Sequence, residues 1–109
     1  MATTYKVLGQ SAPSATTATT LYTAPSATST VVSTINVCNR ATTGDTFRIA
    51  IRPAGAALAT SHYLAYDTPV PGNDSISLTI GVSLAATDVI TVYAGTANLT
   101  FAAFGAEIS

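Results

Sequence analysis

His62, the only histidine, opens the run His62-Tyr63-Leu64-Ala65-Tyr66-Asp67. A Ser-His-Asp set can be drawn from it with Asp67 or Asp88 and any of ten serines. The strained strand-to-helix turn that exposes such a serine carries the pattern G-x-S-x-G, and the chain lacks that pattern. Hydrolytic chemistry therefore has no local support, and His62 reads as a strand residue at a sheet surface. One histidine and one cysteine cannot build a His- or Cys-rich metal cluster. Cys38 reads as a small buried hydrophobe. Asp45, Asp67, Asp74, Asp88 and Glu107 are scattered singly. They match neither the spacing of a calcium loop nor the paired carboxylates of a glycosidase. Asp74 follows Asn73, and Asp88 precedes a strand, so both read as residues that hydrogen-bond local backbone. No catalytic, cofactor-binding or metal residue is assigned, and the chain reads as non-enzymatic.

The remaining chemistry is recognition. Arg48 and Arg52 lie four residues apart in one alternating run, so they share its polar face. Solvated side chains are one reading. Interface anchors are the other, because arginine is enriched at binding hot spots. Leu21 and Tyr22 join them as candidate interface residues, being the only two large side chains between residues 10 and 30. Tyr63 and Tyr66, three apart on one strand, are expected on opposite faces.

These residues need strands to hold them. Phe47, Ile49 and Ile51 alternate with Arg48, Ala50 and Arg52, and Ile76, Leu78 and Ile80 alternate with Ser77, Thr79 and Gly81. Ile90 and Val92, then Leu99 and Phe101, repeat the period of two. Those ten apolar residues form the expected core. Strands are predicted near 4–8, 18–23, 30–38, 46–52, 61–67, 75–81, 88–94 and 98–104, with one helical turn around Ala54 to Ala59. Pro69 to Asp74 reads as the strongest turn, and Ala94-Gly95-Thr96 as a tight hairpin. About eight short antiparallel strands with one apolar face each predict an all-β, two-sheet sandwich, jelly-roll or Ig-like. The organisation is a single domain: residues 31–109 form the sandwich, and 1–30 an N-terminal segment. Residues 10–30 are small, polar and broken by Pro13 and Pro25. Two readings stay open for the segment: an extended arm ordered on a neighbour, or an edge strand. Under the arm reading, deleting residues 1–16 leaves a cooperatively folding domain.

Charged residues are only 8% of the 109 residues, with a net charge of −1. Soluble domains usually carry about 25%, so part of the exterior is expected to be covered by other protein. A homo-oligomer follows, with a trimer the first expectation. Four cations in no stripe argue against nucleic-acid binding. No apolar run approaches the roughly 20 residues of a spanning helix. The opening MATTYKVLGQ lacks the apolar stretch of a secretory signal.

Four blocks carry a family likeness: Asp45-Thr46-Phe47-Arg48-Ile49-Ala50-Ile51-Arg52-Pro53-Ala54-Gly55, Asn73-Asp74-Ser75-Ile76-Ser77-Leu78-Thr79-Ile80-Gly81, Leu84-Ala85-Ala86-Thr87-Asp88-Val89-Ile90-Thr91-Val92-Tyr93-Ala94, and Asn98-Leu99-Thr100-Phe101-Ala102-Ala103-Phe104-Gly105. With the opening decapeptide, the chain resembles small virion structural proteins of tailed bacteriophages, including those of cyanobacteria. The resemblance implies a β-sandwich particle component made in the host cytoplasm. It supplies no catalytic residues. A head decoration or cement protein contacting the major capsid protein is the first expectation, and a neck, tail or fibre-associated protein the second. A carbohydrate-binding module is the reading from another class. It wants an exposed aromatic platform, and the chain has no tryptophan and few other aromatic residues.

Overall fold

The computed structural model describes residues 2–109. β-branched and aromatic residues in alternating runs form nine strands: β1 (Thr3–Ser11), β2 (Thr19–Thr23), β3 (Ser29–Asn39), β4 (Asp45–Arg52), β5 (Tyr63–Val70), β6 (Ser75–Leu78), β7 (Val82–Leu84), β8 (Val89–Ala94) and β9 (Leu99–Ile108). The only helical pieces among the described residues are single 3-10 turns, Pro53–Gly55 and Thr60–His62.

The strands make two antiparallel sheets. One runs β1-β9-β3-β6, with β7 also on β3, and the other runs β2-β8-β4-β5. The pairings are nested: β4 with β5, β3 with β6 and β7, β2 with β8, β1 with β9. A long hairpin folded over on itself gives this order, and β9–β3 and β8–β4 contacts close the roll. Counting β6 and β7 as one interrupted strand, this is an eight-stranded jelly roll.

The inner faces meet in one core. Phe47 from one sheet touches Phe101 from the other edge-to-face, with ring centroids 6.2 Å apart at 72°. Val32, Ile35, Val37, Ile49, Ile90, Val92 and Leu99 are fully buried around them. Six of the ten expected core residues are buried, and Ile51, Ile76 and Leu78 pack on the core's margin. Ile80 is 40% exposed. The run 75–81 is not one strand: β6 ends at Leu78, and Gly81 adopts φ +57°, a left-handed turn that restarts the chain as β7. Val70 and Leu84 supply core beyond the ten expected residues.

The expected 94–96 hairpin is not formed, because β8 and β9 belong to opposite sheets. Asp45 redirects the chain there. Its Oδ2 accepts from the Thr96 N–H at 3.0 Å and the Thr96 hydroxyl at 2.6 Å, while Gly95 N–H donates to the Thr46 carbonyl at 3.0 Å. The Pro69 turn also starts later. Pro69 lies within β5, where an edge position tolerates its missing N–H.

Both parts of the N-terminal segment are paired edge strands. β1 follows β9 from Thr3↔Ile108 to Ser11↔Phe101, and β2 follows β8 from Thr19↔Val92 to Thr23↔Val89. The two sheets approach so closely at Gly9 that a Cβ there would strike the Leu21 carbonyl.

Candidate interaction surfaces

Arg48 sits on the outer face of the β2-β8-β4-β5 sheet, in register with Tyr93 of β8. Its Nε and Nη2 donate to the two carboxylate oxygens of Asp67 at 2.7 and 3.3 Å. Its guanidinium carbon lies 4.1 Å from the Tyr66 ring centroid and 4.4 Å from that of Tyr93. The cation thus touches two rings and is held by a forked ion pair, the arrangement that a planar guanidinium suits and an ammonium does not. Asp67, first through its hydrogen bonds and then its charge, raises the Arg48 pKa further. Tyr63 packs edge-to-face on Tyr66, centroids 4.8 Å apart at 86°.

Tyr63 and Tyr66 therefore share a cluster instead of facing opposite sides. Each of two register shifts against β4 leaves one extra residue in β5: Phe47↔Thr68 is followed by Ile49↔Ala65, then Ala50↔Tyr63. Asp67, at φ +50°, lies in the first of these bulges. The extra residues turn both rings to the same side and aim Asp67 at Arg48.

Arg52 has a different task from Arg48. It donates to the Thr91 hydroxyl at 2.9 Å and to the Gly55 and Ala56 carbonyls at 3.3 and 3.1 Å, tying the turn after β4 to β8. Its Nε and Nη1 are engaged within the domain.

Leu21 and Tyr22 face the core, at 6% and 7% exposure. Two consecutive inward side chains are unusual in a strand. They arise because β2 carries an extra residue between its Thr20↔Thr91 and Tyr22↔Ile90 pairs. An external partner finds neither on an open surface. The Tyr22 hydroxyl donates to Glu107 Oε2 at 2.6 Å and lies 2.9 Å from the Thr30 hydroxyl, while Lys6 Nζ reaches Glu107 Oε1 at 3.1 Å. Burial, then the Glu107 hydrogen bond, pushes the Tyr22 phenol up to about 12. The Tyr22 bond, then that from Lys6, holds the Glu107 carboxyl below its usual range.

These shifts have opposite pH signatures. The Glu107 contribution is present above the ordinary glutamate pKa, about 4.3, and is lost as pH falls through the lowered value. The Tyr22 contribution is present below about pH 10 and is lost as pH rises through about 12. Tyr22→Phe should cost about 1.5–3 kcal/mol at pH 7, the range for hydrogen bonds to charged groups. It should also flatten both arms of the stability profile, as measured by thermal melts across pH. An unchanged profile would show that Glu107 and Tyr22 are not coupled.

The comparisons with known proteins add no family: no family model matches the chain, and no curated protein matches it.

His62 ends a 3-10 turn rather than lying in a strand, and its Nδ1 accepts from the Ala59 N–H at 3.1 Å. Cys38 is half-buried, not fully inside, because its register with Ser75 and Thr100 puts it on the outward side of β3. Asp74 accepts from Ser75 N–H at 2.8 Å and Asp88 from Ala85 N–H at 2.9 Å, the local bonding expected of them. Asp88 also accepts from Ala54 N–H at 2.8 Å, a long-range bond that ties the turn after β4 to the start of β8. Among the described residues no three His, Cys, Asp or Glu side chains gather as metal ligands. No helix among the described residues is long and apolar enough to cross a membrane. The outer face of the other sheet bears two shallow depressions. One, of about 360 Å3, lies by Gln10, Asn36 and Thr100, and the other, of about 380 Å3, by Tyr5, Val31 and Phe104.

Proposed function

We propose that this chain is a non-enzymatic structural subunit of a bacteriophage virion. Its first assignment is a head decoration or cement protein that binds the major capsid protein and further copies of itself, and the alternative place is the neck, tail or fibre. The reading rests on the resemblance of its four blocks to phage virion proteins and on its low charge. The observation that carries a binding role is the outer-face cluster of Arg48, Tyr66, Tyr93 and Asp67. Tyrosine and arginine dominate binding hot spots, and here their geometry is set before any partner arrives. The jelly roll is compatible with the reading, since viral capsid domains use it, but lectin domains do too and fold alone assigns nothing.

Copy number in purified particles, by quantitative mass spectrometry, separates the locations. Hundreds of copies place the chain on the head, a few tens or fewer on the neck or tail, and none overturns the reading. Arg48→Ala should weaken attachment to the particle by about 2 kcal/mol, the threshold of a hot spot, which is roughly thirtyfold. Arg48→Lys should not restore it, because an ammonium cannot make the forked pair. Full occupancy by both variants would remove this face from the interface.

A second reading, host-surface carbohydrate binding, gains from the same cluster. Three of the five tyrosines converge there, and Tyr66 is 56% exposed beside Arg48 and Asp67. Glycan-array binding by the isolated chain, abolished by Tyr66→Ala, would favour it over the cement role.

A further inference from the structure

We infer that two copies of this chain join edge to edge through residues Thr3–Val7 of β1, antiparallel about a two-fold axis at Tyr5. The pairing needs only the chain itself and does not depend on the virion reading.

Each sheet has two open edges, and three of the four are blunted in ways that disfavour strand addition. β5 is bulged twice and holds Pro69. The β6–β7 edge is broken at Gly81. β2 has five residues and a bulge. Among the described residues β1 has no neighbour on its far side; it has no proline and keeps a regular register from Thr3 to Val7, where all five residues are exposed.

The free groups of that edge are symmetric. Ala2 and Ser109 exchange both backbone bonds, at 2.8 and 2.9 Å. In an antiparallel ladder such pairs alternate. Ala2, Thr4 and Lys6 therefore spend their backbone groups on β9, and Thr3, Tyr5 and Val7 turn theirs outward. A second β1 laid antiparallel pairs Tyr5 with Tyr5 and Thr3 with Val7 on either side. Every outward N–H and C=O of the three residues then finds a partner.

Charge and surface agree with a second copy as the occupant. Lysine on an edge normally repels strand addition. Lys6, the only charged residue in the segment, is neutralised by Glu107 at 3.1 Å, so like charges do not meet across the axis. Tyr5 is 84% exposed and Val7 48%, on the same face as Val31 and Phe104, at 39% and 37%. Joining two edges makes these apolar strips continuous. A two-fold contact is isologous and closes at two copies, so this edge specifies a dimer where composition alone suggested a trimer.

The test is register-specific and uses the full chain. Sedimentation at micromolar concentration should give a dimer. In a Cys38→Ser background, Tyr5→Cys should cross-link under mild oxidation, since residues opposed across the axis lie about 5.5 Å apart, within disulfide reach. Val7→Cys should not, because the two copies of residue 7 are then about 14 Å apart along the strands, at roughly 3.4 Å per residue. Tyr5→Lys should weaken association at least tenfold while leaving the thermal melt unchanged at dilutions where both chains are monomeric, since association itself raises the melting temperature at higher concentration. A monomer, a trimer, equal cross-linking at both positions, or a dimer indifferent to Tyr5→Lys would each overturn the proposal. None of these outcomes bears on copy number in particles, so the two readings fail separately.

Discussion

Replacing Phe101 by alanine should lower the stability of the domain by about 3–5 kcal/mol, as phenylalanine deletions in packed cores do. Phe101 is 1% exposed and Phe47 is completely buried, and the pair spans the gap between the sheets. A domain of this size has roughly 5–15 kcal/mol in all, so the loss is about a fifth or more of the total. Edge-to-face rings contribute about 0.5–1.5 kcal/mol beyond their burial. The double variant Phe47→Ala with Phe101→Ala should therefore cost less than the sum of the singles, by about that amount. Ile49→Ala, at a fully buried position, should fall in the range of about 2–5 kcal/mol. Leu78→Ala should cost less, because Leu78 is only partly buried at the margin. Urea or thermal unfolding of the five variants, Phe47→Ala alone included, measures all of these. Equal costs for Ile49 and Leu78 would contradict the observed burial.

Deleting residues 1–16 should destabilise the domain by at least about 2 kcal/mol, or roughly 10 °C in melting temperature for a chain of this size. An arm would be dispensable, but this deletion removes all of β1. Leu8 packs against the core, Pro13 is buried, and β9 loses the neighbour that covers one side from Phe101 to Ile108. The backbone bonds themselves add little, because each ordered residue costs about 1–2 kcal/mol of entropy. The loss comes from uncovered apolar surface. It also turns the ten-residue β9 into a new edge, and a long apolar edge strand is a site of aggregation. The truncated chain should therefore melt early and aggregate with concentration. Hydrogen exchange gives an independent measure: residues 3–8 in the intact chain should be protected where they bond to β9. Fast exchange throughout, with unchanged melting after truncation, would restore the arm.

Alternation along the chain was enough to identify the all-β class, the two-layer architecture and most of the core. Phe47/Ile49, Ile90/Val92 and Leu99/Phe101 reveal their buried face because a regular strand turns every second side chain the same way. The role of Asp74 and the Asp88–Ala85 bond were equally local, since a short acidic side chain bonds backbone within a few residues. The second bond of Asp88, from Ala54 N–H, was not legible. Bulges and partners were not legible. Tyr63 and Tyr66 meet, and Leu21 and Tyr22 both turn inward, only because β5 and β2 carry extra residues against their neighbours. An extra residue is defined by the strand opposite, which lies far away in sequence. The same holds for Arg48. Its membership of a polar face was readable from its spacing, whereas Tyr66, Tyr93 and Asp67 come to it from two other strands. Sequence alone therefore determined which strands have a face to bury, and tertiary pairing decided what each face meets, because register is fixed between strands and not within one.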